Sequence, residues 1–201
     1  TVGSQTYNAW TMTNVLRIDG MFQGATAFNQ NIGNWDTSKV TNMTGTFAAA
    51  SAFNGNIVNW DTSKVTNMRG TFYKATAFNR DINTNGNKWN TSSVTNMQGM
   101  FLGALAFDGN IVNWNTSSVT DMNGMFFDAI SFNKNINTDS ENNYWDTSSV
   151  TDMGGMFANA LAFNGNIGNW NISSVTDIRN MFANASGFNQ NISSWDTDIS
   201  D

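Results

Sequence analysis

"NWDTSKVTNM" stands at residues 34–43 and again, unchanged, at residues 59–68. The two copies lie 25 residues apart, and the reading of that interval decides the fold. Identical text at a fixed period marks a repeat architecture. Each unit is then one small element that buries its apolar face only against its neighbours. A catalytic site, by contrast, needs one copy of each group in an asymmetric arrangement.

Working outward from this stretch, tryptophan sets the register. Units begin at Trp10, Trp35, Trp60, Trp89, Trp114, Trp145 and Trp170, with a partial unit from Trp195, so residues 1–201 are read as a single repeat domain. In the second unit Val40, Met43, Phe47, Ala50, Phe53 and Ile57 occupy the recurring apolar positions. The unit reads W-D-T-S-x-V-T-N-M-x-x-M-F-x-x-A-x-A-F-N-x-N-I-x-x. Two units are longer, and both carry the extra residues just before the next tryptophan, in "NTNGNK" (83–88) and "NTDSENNY" (137–144). Insertions confined to one corner are what a stacked array tolerates.

Val40, Met43, Phe47 and Ala50 are spaced i, i+3, i+7 and i+10, which predicts one face of a short helix. The preceding "DTS" offers N-caps, and Gly45 limits the helix to about two turns. "AFNGNI" (52–57) reads as a short extended segment with Phe53 and Ile57 inward. The expected fold is therefore an α/β repeat solenoid of about seven 25-residue coils, each a short helix plus a short parallel strand.

Composition narrows the function. There is no Cys, so disulfides and thiolate metal sites are excluded, and no His, the commonest metal ligand and usual general base. With no Pro, the turns rest on Gly, Asn, Asp and Ser. A net charge of −6 argues against nucleic acid and against anionic lipid as partners. No apolar run is long enough to insert in a membrane as a helix. Aromatic residues at 13% argue for a packed core over disorder. The opening residues do not read as a signal peptide, and the sequence is expected to be a mature or excised segment.

The text "WDTSSVTDMGGMFANALAFNGNIGNW" (145–170) resembles the BspA-like leucine-rich-repeat surface proteins. More closely, it resembles the variant repeat of mycoplasma lipoproteins and marine bacterial surface proteins. That resemblance covers residues 10–195 and implies a right-handed leucine-rich-repeat-like stack in a secreted or surface-anchored protein that adheres to a partner. It brings no catalytic residues. The first unit departs from the pattern at Thr11 and Ile18, and the last, "WDTDISD", has Ser200 where Val is due. No lipobox Cys is present for a lipid anchor.

Candidate chemistry is sparse. The Asn/Asp rows headed by Asn42, Asn29 and Asn31 are expected to satisfy open backbone groups. Calcium is the alternative reading of those oxygens, although no calcium-loop motif accompanies them. The Thr41, Thr66, Thr95, Thr120, Thr151 and Thr176 row reads as capping, with ice or mineral binding as the sharper alternative. The Trp, Phe and Met rows read as core. Six N-x-S/T triplets, headed by Asn42, Asn90, Asn115, Asn171, Asn184 and Asn191, are what so much Asn, Ser and Thr produces by chance. Partner contact is placed at the inserted corners, on Asn85, Asn87, Lys88, Asp139, Glu141, Asn142 and Tyr144, because stacking does not dictate those residues. Glu141 is the sole Glu and lies in an insert, so no enzyme and no cofactor are expected. The expected function is an extracellular or cell-surface adhesion module binding a protein or glycan. The alternative is a self-assembling filament or surface-layer protein.

Overall fold

The computed structural model describes residues 12–84, 88–138 and 145–195. Coils are numbered here by their opening tryptophan: coil 1 from Trp10, coil 2 from Trp35, coil 3 from Trp60, coil 4 from Trp89, coil 5 from Trp114, coil 6 from Trp145 and coil 7 from Trp170. Positions within a coil count that tryptophan as 1.

The helix-plus-strand solenoid is not what forms. Among the described residues there is no α-helix, and strand pairing is limited to single parallel bridges. These run Arg17–Asn42–Asn67–Asn96–Asp121–Asp152–Asp177, through the segment expected to be helical. "AFNGNI" (52–57) forms no strand. Each coil is instead a chain of tight turns.

The hydrogen bonds give the reason. The Met43, Gly45, Phe47 and Ala49 N–H groups donate to Asn67, Arg69, Thr71 and Tyr73 carbonyls of the next coil at 2.6–2.9 Å. The intervening Thr46, Ala48 and Ala50 N–H groups close turns onto Met43, Gly45 and Phe47, three residues back. Alternate N–H groups therefore leave the coil, and no i→i−4 ladder can form. This backbone needs left-handed residues at positions 11 and 15, met by Gly45 (φ 59°) and, against its steric preference, Ala49 (φ 56°). Pitch excludes the helix independently. Corresponding Phe rings in successive coils lie 5.4–5.8 Å apart. Packed helices need about 8–10 Å between axes.

The core is a lattice of aromatic columns. Within each coil the two Phe rings stack at 3.9–4.1 Å, as in Phe101 on Phe107 and Phe182 on Phe188. Indole rings continue the third column, Trp89 to Trp114 at 6.4 Å and Trp145 to Trp170 at 6.1 Å. The buried indole N–H of Trp114 donates to Ile82 O at 2.7 Å, and Trp60, Trp89, Trp145, Trp170 and Trp195 make the same bond to the isoleucine that ends the coil two before their own. Stacked rings and a satisfied indole explain why tryptophan is repeated at this corner.

The polar ladders are structural. Asn54 Oδ1 accepts from Asn79 N–H at 3.0 Å and Asn79 Oδ1 from Asp108 N–H at 2.9 Å, one rung per coil. The "DTS" motif caps no helix. Asp36 Oδ1 accepts from Ser38 N–H and hydroxyl, while the buried Thr37 hydroxyl donates to Asp61 O of the next coil at 3.0 Å. At position 21 long residues alternate with glycine: Gln30, Gly55, Arg80, Gly109, Lys134, Gly165, Gln190. Each of the last three long side chains reaches back past the preceding glycine, Arg80 Nε to Asn54 O at 2.7 Å, Lys134 Nζ to Asp108 Oδ2 at 2.7 Å and Gln190 Nε2 to Asn164 Oδ1 at 2.9 Å.

Candidate functional site

Most of the repeated unit is fixed by stacking, so residues that stacking does not dictate stand out. At position 10 the coils carry Asp19, Thr44, Arg69, Gln98, Asn123, Gly154 and Arg179 in turn. At position 14 they carry Gln23, Ala48, Tyr73, Leu102, Phe127, Ala158 and Ala183. Positions 12, 13 and 16 point into the core, as Thr46, Phe47 and Ala50 do. Positions 8, 10, 11 and 14 together form one face, since residues from all four line a common cleft there.

Tyr73, Leu102 and Phe127 make a half-buried apolar ridge along three successive coils of this face. Leu102 and Phe127 lean toward the next coil. A Cβ on Gly124 would sit 3.7 Å from Leu102 Cδ1, and one on Gly155 would sit 3.7 Å from Phe127 Cδ2. The left-handed glycines of position 11 thus provide the floor on which the ridge lies.

Beside the ridge runs the bridge row, acidic in its later coils at Asp121, Asp152 and Asp177. Each carboxylate accepts the N–H two residues on, as Asp152 does from Gly154 at 2.8 Å. Asn123 Nδ2 also donates to Asp152 Oδ1 at 3.0 Å. Burial pushes the Asp121 carboxyl above its ordinary range, and the Asp152 charge adds to that. Asp177 goes the other way, down to about 2, because the Arg179 guanidinium hydrogen-bonds it. The pair closes at 2.6 Å.

A cleft of about 320 Å³ opens where the ridge meets this row, between Phe127 and the Asp177–Arg179 pair. A second, of about 440 Å³, lies at the tryptophan corner of coils 2 and 3, with Asp36, Asn59, Asp61 and Lys88 on its walls. Ser38 and Ser63 hold the Asp36 and Asp61 carboxyls below their usual range, helped by the Lys88 charge.

Lys88 is the one residue expected from the inserted corners that lies among the described residues, and it is exposed. Asn85, Asn87, Asp139, Glu141, Asn142 and Tyr144 lie outside them. The roots of both inserts are firmly held. Asn83 Oδ1 accepts from Asn113 N–H and Asn137 Oδ1 from Asn169 N–H, both at 2.8 Å. The Thr138 hydroxyl donates to Trp145 O. The ridge is not visible in the repeat pattern, which shows only what recurs. Comparing the seven units for what changes brings out positions 10 and 14, together with positions 5, 15, 17 and 21.

Among the described residues no three acidic side chains group as metal ligands. The Thr hydroxyls of position 7 each donate to the previous coil's carbonyl, Thr120 to Thr95 O at 3.2 Å for example. No helix of the described residues is long and apolar enough to cross a membrane.

The sequence matches the family described as "Mycoplasma protein of unknown function, DUF285" over residues 2–86 and again over residues 80–195. No curated protein and no solved structure matches it.

Proposed function

The chain belongs to this family of mycoplasma proteins, and we propose that it is a binding module whose variable face, centred on Tyr73, Leu102 and Phe127, engages a partner at a cell surface. The observation that carries this reading is the contrast between scaffold and face. Stacking repeats most buried positions, while positions 10 and 14 change along one side. An apolar centre rimmed by Arg69, Gln98, Asn123 and Arg179 has the composition of a contact patch. The likeness to BspA-like surface proteins supports an extracellular place and an adhesive role.

The test is binding of the fluorescently labelled chain to epithelial cells and to immobilised matrix glycoproteins. Saturable binding is expected, reduced at least tenfold in a Leu102→Asp/Phe127→Asp double variant and unchanged in Gln190→Ala, on the asparagine-ladder edge. Absence of saturable binding, or equal loss in both variants, refutes the role.

A further inference from the structure

The cleft beside Phe127 opens where coil 6 lacks a side chain. Where coils 3 and 7 place Arg69 and Arg179, coil 6 has Gly154, which lines the cleft. The notch measures about 320 Å³, close to the lower bound of roughly 300 Å³ for small-molecule sites.

Resting on the binding role proposed above, we propose that this notch takes a neutral hexopyranose ring of a glycan. The N–H groups of the glycine floor are already used. Gly124 N–H donates to Gly154 O, Gly155 N–H to Arg179 O and Gly154 N–H to Asp152 Oδ1, at 2.8–2.9 Å. Recognition therefore falls to side chains. On one wall is the Phe127 ring, an apolar surface for the C–H face of a sugar. On the other is the Asp177–Arg179 pair, whose charges cancel. A cationic ligand meets the guanidinium of Arg179, with its side chain 86% exposed at the mouth. An anionic one meets Asp177 and the Asp152 carboxylate, whose Oδ1 is 3.2 Å from the point a Gly154 Cβ would occupy. An ion of either sign thus meets a like charge beside its counter-charge, a penalty that a neutral polyol does not carry. The groups left over suit hydroxyls, which donate and accept: the outer guanidinium N–H groups of Arg179, the Asn180 amide, and the Asn123 carbonyl oxygen left after its Nδ2 bonds Asp152.

Two measurements test this on the intact chain. One is an array of neutral and of sialylated or sulfated oligosaccharides. The other is amide NMR of Gly124, Gly154 and Gly155 during titration with methyl glucoside, galactoside and mannoside. Neutral hexose-terminated glycans are expected to bind saturably, with shifts at those amides. Gly154→Arg should weaken both at least tenfold. Arginine already serves that position in coils 3 and 7, and the one atom within 3 Å of the new Cβ is the rotatable Asn123 amide at 2.9 Å. Arg179→Ala, at the mouth of the notch, removes its guanidinium donors independently and should weaken binding as well. Binding confined to acidic glycans, or no shift at these amides, overturns the proposal. If cell binding is lost in the Leu102→Asp/Phe127→Asp variant but unaffected by Gly154→Arg, the sugar fails and the contact face stands. If no surface is bound at all, the face itself fails.

Discussion

Adding one methyl group at Gly109 should wedge coil 4 from coil 3. Its backbone is in an ordinary region, so any cost comes from space and not from φ. A Cβ there would lie 2.1 Å from Arg80 O and 2.8 Å from Arg80 C, backbone atoms that cannot rotate away. Relief needs roughly 1 Å of separation to reach normal contact. The bonds on either side, Asp108 N–H to Asn79 Oδ1 at 2.9 Å and Asn110 N–H to Asp81 Oδ1 at 2.8 Å, would stretch with it. Overpacking costs about 1–3 kcal/mol, and two weakened hydrogen bonds add about 1 kcal/mol each. Gly109→Ala should thus destabilise by about 3–5 kcal/mol and lower Tm by roughly 10 °C for a chain of this size. Urea unfolding followed by tryptophan fluorescence measures this. Gly24→Ala is the control, with φ +71° and no neighbour within 4 Å, so it carries only the left-handed cost of about 1–2 kcal/mol. A Gly109→Ala protein less perturbed than Gly24→Ala would refute the claim that glycine sets the coil spacing.

Trp114→Phe keeps the ring column but orphans the buried Ile82 carbonyl, so a loss of about 1–3 kcal/mol is expected from thermal melts. Ala49→Gly relieves a left-handed alanine and should stabilise by about 0.5–1 kcal/mol, read in the same melts. Asp121→Asn should raise Tm at pH 7. The raised folded-state pKa means the folded chain holds its proton longer than the unfolded one, so wild-type stability falls as pH climbs from the ordinary aspartate value through the raised one. Below the ordinary value both forms are neutral and the gain should vanish; a gain that persists there refutes the electrostatic cause. Asp177 has the opposite sign, its stabilisation by Arg179 fading as pH falls from the usual aspartate range to about 2.

The period, the register and the core were legible in the sequence because burial repeats faithfully: Val65, Met68, Phe72, Phe78 and Ile82 are all fully buried in coil 3. The secondary structure was not. Spacing of i, i+3, i+7 says only that those side chains share a side, and a chain of turns with left-handed residues at positions 11 and 15 satisfies it as well as a helix does. The deciding signal was Gly45, with Gly20, Gly70, Gly99, Gly124 and Gly155 in the same place. A glycine recurring inside an apparent helix, at the same position of nearly every unit, marks required backbone and not tolerated weakness. The alternation at position 21 is a further signal of the same kind, since it has a period of two units and disappears when units are averaged.

Site legibility turns on the same distinction. The inserts drew attention because they break the length of the unit, yet Asn83 and Asn137 tie their roots into the stack as firmly as any ladder residue. Length variation shows where the scaffold tolerates change. Side-chain variation at constant length shows where the scaffold leaves a residue free while holding its backbone rigid. Gly154 illustrates this: its coil keeps its stacking bonds, Phe126 N–H to Met156 O and Asp128 N–H to Ala158 O at 2.9 Å, while losing the side chain that fills the face in neighbouring coils. A gap on a rigid backbone is preorganised for a ligand, because no loop must be ordered when it is filled. In this architecture a recognition site is therefore sought where a row of the array goes silent at unchanged length, beside residues such as Phe127 and Arg179 that its neighbours still supply.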